Sequence, residues 1–150
     1  MKIGKVLSVN ISETTGVVKE PIDEGIFIEN FGLKDDAHSG DWHRQVSLLG
    51  IESFKKMKAQ GIEDLKYGDF AENITTEGLL LYELPIGTKL KIGETLHELT
   101  QIGKTCHSGC AIALKVGKCV MPKEGIFTVV LKGGKIKAGD DIEVLENIDI

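Results

Sequence analysis

Three cysteines lie within one short stretch of this sequence, at positions 106, 110 and 119, and no other cysteine is present. Cys106 is followed by His107 and preceded, two residues earlier, by Lys104. An imidazole and an ammonium group beside a thiol favour its thiolate form, which is both the nucleophile and the ligand for soft metals. Cys106 is therefore the first candidate for a residue that does chemistry.

Three interpretations of this stretch compete with a reactive thiolate. A zinc site would use the three cysteines and His107, although adjacent Cys and His rarely bind one ion together and no Cys-x2-Cys pair is present. A redox pair of Cys106 and Cys110 would share a helix face, but its spacing is not that of thioredoxin. Simple burial as a small apolar side chain is favoured for Cys119 and stays open for Cys110.

The fourth interpretation is a single functional thiolate at Cys106. Residues 96–102 alternate as a strand and a short helix is predicted over residues 108–116, which places Cys106 at a strand-to-helix junction. The positive end of that helix would stabilise a thiolate. Such a group could attack an electrophile, carry sulfur or bind a soft metal.

A second set of chemically versatile side chains lies in the polar segment 34–45. Arg44 is the only arginine among 18 basic residues, which suggests forked anion binding that lysine cannot provide, with chance as the alternative. His38 and His43 are typical of hydrogen-bonded surface groups, and Trp42 could serve only to cap a core. The segment lacks periodicity and is predicted to be a loop.

A third polar segment, residues 68–78, is bounded by glycines. Its side chains Asp69, Glu72 and Asn73 could orient an anion-binding group or simply close a turn. No Gly-x-Gly-x-x-Gly or P-loop pattern occurs, so a nucleotide cofactor is not supported.

The composition restricts the class of protein. The chain has 150 residues, 41% of them hydrophobic, and no linker-like stretch, which predicts one globular domain over residues 1–150. A net charge of −5 argues against non-specific nucleic-acid binding. The sequence has no apolar run long enough to span a membrane and no secretory signal, and its odd number of cysteines suggests reduced thiols in a cytoplasm.

Short strands dominate the predicted elements. Strands are expected over residues 2–12, over residues 25–28 and near Ile74, and an amphipathic helix is expected from Ser47 to a stop at Gly61. Residues 87–96 and 133–142 share one pattern, namely a short strand, a Gly-acidic turn and a longer strand. The fold class predicted is a mainly β barrel with a few short helices.

Five stretches together resemble a small stand-alone bacterial MOSC domain, the domain named after the C-terminal part of molybdenum cofactor sulfurase. They cover nearly the whole chain in the order of the family: residues 38–49, 68–75, 103–112, 121–127 and 139–144. The resemblance implies the same β-barrel fold.

The resemblance also implies a cofactor and a site. Cys106 would carry sulfur or bind molybdenum as a metal ligand, and Pro122 and Gly125 would form the Pro-x-x-Gly that follows this cysteine. The molybdenum cofactor, molybdopterin, would be held by Arg44, Asn73, Lys104, Cys106 and His107. Pyridoxal phosphate is not expected, because in the family it belongs to a separate desulfurase domain.

Three functions follow from the resemblance. The preferred one is a molybdenum-cofactor-binding or sulfur-carrier protein that acts through Cys106. The others are a molybdenum-dependent oxidoreductase component that reduces N-hydroxylated substrates, and a non-catalytic module that docks to molybdopterin biosynthesis proteins. The expected partners are molybdenum cofactor biosynthesis proteins or molybdoenzymes, and the sequence leaves the oligomeric state open.

Overall fold

The computed structural model describes residues 3–15, 17–59, 61, 64–103 and 124–145. Within these residues the chain forms eleven strands, one α-helix (α1, Ile51–Ala59) and one 3-10 helix (Leu81–Glu83). In chain order the strands are β1 (Ile3–Ile11), β2 (Glu20–Ile22), β3 (Glu24–Ile28), β4 (Gly32–Leu33), β5 (Val46–Gly50), β6 (Ile74–Glu77), β7 (Lys89–Ile92), β8 (Thr95–Ile102), β9 (Ile126–Lys132), β10 (Gly134–Lys137) and β11 (Asp141–Leu145). None of the helices in these ranges has the length and apolar character needed to cross a bilayer.

Seven strands close into a barrel. Around the barrel the order is β1, β11, β7, β8, β9, β5 and β6, and β6 pairs with β1 to complete the ring. Neighbouring strands are antiparallel except β5 and β6, which are parallel and are joined through α1, since a parallel pair needs a crossover. Strand β2 extends the sheet beyond β1, and β10, β3 and β4 form a small second sheet. The predicted mainly β barrel with few short helices is confirmed.

Apolar side chains form two clusters. The larger one draws on every barrel strand through Val6, Leu48, Ile74, Leu90, Leu99, Ile126 and Ile142. The smaller one packs α1 against the barrel through Leu49, Phe54, Met57, Phe70 and Phe127. Leu48 and Leu49 are neighbours in sequence but lie in different clusters, because successive side chains of a strand point to opposite faces. Strand β5 is therefore covered on both sides.

The predicted start of the helix is wrong. Residues 46–50 form β5, and α1 begins only at Ile51. All five residues of β5 are buried, and a strand buried on both faces reads as an apolar run that periodicity cannot distinguish from a helix. Gly61, the predicted stop, has a φ of +93°, and its backbone N–H donates to the carbonyl of Lys58 at 3.0 Å.

The two similar segments adopt the predicted strand-turn-strand form, as β7–β8 and β10–β11. They also contact each other. The backbone N–H of Glu94 donates to the carbonyl of Lys135 at 3.1 Å, and a carboxylate oxygen of Glu94 accepts from the N–H of Lys135 at 3.0 Å. The N–H of Gly93 donates to the carbonyl of Asp141 at 3.2 Å. These contacts attach the small sheet to the barrel.

A fully buried histidine lies on β8. The hydroxyl of Thr95 donates to the carbonyl of Ile92 at 2.7 Å, so its oxygen accepts from Nε2–H of His97 at 2.8 Å. Nδ1 of His97 then accepts from the hydroxyl of Thr128 at 2.7 Å. Burial lowers the pKa of His97 to about 3, so the imidazole is neutral and structural.

Candidate functional site

The polar segment between β4 and β5 is a loop, as predicted, and residues 36–45 are called here the arginine loop. Its first residue, Asp36, is buried and pairs with Lys19 at 2.8 Å. The exposed fractions of the two side chains are 3% for Lys19 and 0% for Asp36. The second carboxylate oxygen of Asp36 accepts from the backbone N–H of His38 at 3.0 Å. A buried ion pair therefore holds the start of the loop.

The last residue of the arginine loop, Gln45, is also buried. Its carbonyl oxygen accepts from the backbone N–H of Val130 on β9 at 2.9 Å. Its amide nitrogen donates to the side chain of Asn30 at 3.0 Å. Both ends of the loop are thus anchored by buried polar side chains, and the residues between them are presented at the surface of the barrel.

An aromatic stack, consisting of His38, Trp42, Arg44 and Phe127, fills the space between these anchors. The guanidinium carbon of Arg44 lies 4.6 Å from the ring centroid of Trp42 and 5.5 Å from that of Phe127. The imidazole of His38 lies 4.9 Å from Trp42 and 5.8 Å from Phe127. Phe127 is fully buried whereas Trp42 is 37% exposed, so the stack runs from the core to the surface.

The charge of Arg44 is not neutralised by the described part of the chain. No hydrogen bond or ion pair joins its guanidinium to another described residue, and its buried Nε has no hydrogen-bond partner there. Cation-π contacts position the group without using its N–H donors. An arginine with open donors is suited to forked binding of a phosphate or another oxyanion.

His43 lies at the outer side of the stack. Its Nε2 is 2.8 Å from the side-chain oxygen of Gln101, and its carbonyl accepts from the hydroxyl of Thr100. The loop is therefore attached to the end of β8 as well as to β9. Nothing in the sequence marks Gln101 or Thr100 as part of a site, because only the barrel brings them next to His43.

The other polar segment forms a loop, residues 66–73, which is called here the glutamate loop. Glu72 is fully buried, and its carboxylate accepts from the N–H of Gly68 at 2.9 Å, the N–H of Phe70 at 3.1 Å and the hydroxyl of Thr75 at 2.6 Å. Burial raises the pKa of Glu72 to about 7, although these three hydrogen bonds oppose the shift. The carboxylate closes its own turn.

Asn73 is also fully buried. Its side-chain oxygen accepts from the N–H of Ser47 at 3.0 Å and from the hydroxyl of Ser47 at 3.2 Å, and its amide donates to the carbonyl of Asn10 at 3.3 Å. Ser47 is the register partner of Phe127 in the β5–β9 pair. Asn73 therefore fixes Ser47 on β5, the residue that pairs with Phe127 at the buried end of the aromatic stack.

The predicted reactive stretch lies outside the described residues. This applies to Lys104, Cys106, His107, Cys110, Cys119 and Pro122, and to the helix predicted over residues 108–116. The described chain ends before this stretch at Gly103 and resumes at Glu124, and the N–H of Gly103 donates to the carbonyl of Gly125 at 2.7 Å. Both ends are close along the chain to residues of the candidate site. Gln101, just before Gly103, contacts His43, and Phe127, shortly after Glu124, lies under Arg44.

Among the described residues, no group of three or more His, Cys, Asp or Glu side chains could hold a metal ion. The predicted metal ligand, Cys106, is not one of these residues. The part of the candidate site that the structure describes thus contains Arg44 and its aromatic neighbours, without the cysteine.

Comparison with known proteins shows which family and which folds this chain is similar to. A family model described as the MOSC domain matches residues 35–143. The YuaD protein from Bacillus subtilis superposes with a TM-score of 0.78 at 18% identity, covering 95% of each chain. YiiM from Geobacillus stearothermophilus has a TM-score of 0.75 at 21% identity, covering 95% of this chain and 75% of its own.

YiiM from Escherichia coli has a TM-score of 0.66 at 19% identity, covering all of this chain and 72% of its own. At these identities the likeness to solved structures concerns the fold alone. A search of curated proteins gave no match.

Proposed function

We propose that this chain, which belongs to the MOSC domain family, binds the molybdenum cofactor and carries sulfur on Cys106. The family is associated with the molybdenum cofactor and with sulfur metabolism. The observation that carries the proposal is the guanidinium of Arg44, held by aromatic rings and without a hydrogen-bond partner among the described residues. Arg44 is also the only arginine of the chain.

The residues present fit the cofactor in one testable respect. Molybdopterin carries a phosphate, and the guanidinium of Arg44, which has no hydrogen-bond partner among the described residues, offers the forked donors that a phosphate accepts. In this proposal Lys104 and His107 add positive charge, and Asn73 supports the site through the strand position that it holds. When bound, the cofactor would supply the molybdenum centre.

The proposed sulfur step uses Cys106 alone. Its thiolate attacks the terminal sulfur of a persulfide donor, a new S–S bond forms at Cys106, and the donor leaves as a thiolate with the electron pair of the broken bond. Lys104 and His107 favour the attacking thiolate by their sequence proximity. The reducing cytoplasm expected from the cysteine content keeps the thiol free, and molybdoenzymes or their biosynthesis proteins are the proposed acceptors.

Native mass spectrometry tests the proposal directly. Protein from cofactor-replete cells is expected to carry bound molybdopterin, together with one additional sulfur atom that peptide mapping locates at Cys106. The Cys106→Ser variant should lose the additional sulfur, and Arg44→Ala should lose the cofactor. Retention of both cofactor and sulfur by Cys106→Ser would show that the proposal is wrong.

A further inference from the structure

We infer that the buried pair Lys19–Asp36 is a positioning device, which orders the arginine loop so that Trp42 and Arg44 present a preformed oxyanion site. The inference rests on the proposed function, because it assigns positioning residues to the same site. Lys19 and Asp36 do not contact the ligand in this scheme. They act through the chain between them and Arg44.

Asp36 connects three separate parts of the chain. One carboxylate oxygen accepts from Lys19 at 2.8 Å and from the backbone N–H of Ser12, just after β1, at 3.1 Å. The other accepts from the N–H of His38 at 3.0 Å. Lys19 also donates to the hydroxyl of Ser12 at 2.9 Å. Lys19 and Ser12 thus hold the carboxylate of Asp36 in place, and the carboxylate in turn holds the backbone of His38.

Stability alone does not account for this pair. Taking two charges out of water is costly, and well-packed apolar replacements of a buried ion pair are often as stable as the pair itself. Charge-assisted hydrogen bonds are, however, short and directional, so they define one position for the groups that they join. Here the group that receives a defined position is the backbone of His38.

A short series of contacts leads from His38 to Arg44. The carbonyl of His38 accepts from the indole N–H of Trp42 at 2.9 Å, and the two rings lie 4.9 Å apart. The other contact in the series is that of Trp42 with the guanidinium of Arg44, at 4.6 Å. Movement of the His38 backbone would therefore displace the indole and, with it, the group on which Arg44 rests.

The discriminating variant replaces both partners by apolar residues, as Lys19→Met/Asp36→Leu. The matched control is Lys5→Met/Asp141→Leu, which removes an exposed cross-strand pair of the barrel. Three quantities are measured on each protein: the urea midpoint of unfolding, acrylamide quenching of Trp42, and calorimetric affinity for inorganic pyrophosphate. Trp42 is the only tryptophan, so its emission reports on the arginine loop alone.

The apolar pair is expected to keep a urea midpoint close to that of the parent. Its Trp42 should become more accessible to acrylamide, and its affinity for pyrophosphate should fall by about tenfold, the effect of losing one charge-assisted hydrogen bond. The control pair should match the parent in quenching and affinity. If the apolar pair does not fold, the near-isosteric Lys19→Gln/Asp36→Asn pair takes its place in the same measurements.

The inference is overturned if the folded pair variant shows the quenching of the parent protein, whatever its affinity. The proposed function fails separately. If Arg44→Ala binds pyrophosphate as tightly as the parent, Arg44 is not the oxyanion anchor, even where the pair variant exposes Trp42. If Arg44→Ala loses affinity while the pair variant keeps the quenching of the parent, the positioning role of Lys19 and Asp36 is refuted and the proposed function is not.

Discussion

The arginine loop and the glutamate loop are both polar segments that precede barrel strands, and they use their polar groups in opposite ways. In the glutamate loop, Glu72 and Asn73 are fully buried and their oxygens have donors: Glu72 accepts from its own loop and from Thr75, and Asn73 accepts from Ser47 on β5. In the arginine loop, the buried residues are the two at the ends, Asp36 and Gln45, and Arg44 keeps its donors open among the described residues. A buried polar group with partners maintains structure, whereas an ordered charge without partners is available to a ligand.

Removal of Glu72 should produce the largest effect. In Glu72→Ala the N–H groups of Gly68 and Phe70 and the hydroxyl of Thr75 lose their acceptor, so the free energy of unfolding should fall by about 3–5 kcal/mol. Urea unfolding measures the change. Glu77→Ala, at the exposed end of β6, is the matched control and should cost about 0.5 kcal/mol or less. A loss in Glu72→Ala as small as that of the control would contradict the structural role of the glutamate loop.

The pH dependence of stability distinguishes two fully buried groups, His97 and Glu72, because their pKa values are shifted in opposite directions. The pKa of His97 is lowered from 6.5 to about 3, so its stabilising contribution is complete above pH 6.5 and is lost as pH falls towards 3. The pKa of Glu72 is raised from 4.5 to about 7, so its contribution is complete below pH 4.5 and is lost as pH rises through 7.

Between pH 4.5 and 6.5 the two contributions therefore oppose each other, and unfolding stability should change little through these two groups. Below this window stability should decline with His97, and above it with Glu72. Urea midpoints measured from pH 3 to pH 8 give the profile. Glu72→Gln, which cannot titrate, should convert the level region into a rise with pH, and an unchanged profile in that variant would exclude Glu72 as the opposing group.

Substitution of Arg44 should affect binding rather than stability. Arg44→Ala should weaken pyrophosphate binding by about 10- to 100-fold, since charge-assisted hydrogen bonds are lost, while its cation-π contacts contribute only about 0.5–1 kcal/mol to folding. Isothermal calorimetry and urea unfolding separate the two effects. Lys34→Ala, an exposed cation just before the loop, is the control and should bind like the parent. Equal losses in both variants would indicate non-specific attraction instead of a site.

The smallest change is expected from Trp42→Phe. The variant loses the hydrogen bond to the carbonyl of His38 on a side chain that is already 37% exposed, so stability should fall by about 1 kcal/mol or less. Pyrophosphate affinity should fall more clearly than stability, because the ring that supports Arg44 is smaller. A stability loss of several kcal/mol would place Trp42 in the core instead of the site.

Much of the fold was predictable because the strands alternate or are bounded by turns. Strand β1 follows from a period-2 pattern, β3 from a short apolar run, β6 from a glycine-bounded segment, and the two strand-turn-strand copies from their Gly-acidic turns; together they predict the barrel class. The boundary between β5 and α1 was not predictable, since a strand covered on both faces carries no alternation. Arg44 stood out as a candidate by its rarity and by the family resemblance, and its open donors among the described residues agree with that expectation without testing it.

Residue type and local period are properties of the chain, and they indicate which side chains are chemically able to act. Which polar groups already have hydrogen-bond partners becomes known only from the folded arrangement. Lys19 and Asp36 lie seventeen residues apart and gave no signal, yet they meet in the interior at 2.8 Å. Glu72 and Arg44 look equally functional in sequence, but in the folded chain three neighbouring donors, from Gly68, Phe70 and Thr75, point at the first, and among the described residues there is no acceptor for the second. Whether a polar group finds partners depends on the folded arrangement of near and distant residues, and residue type alone does not give it.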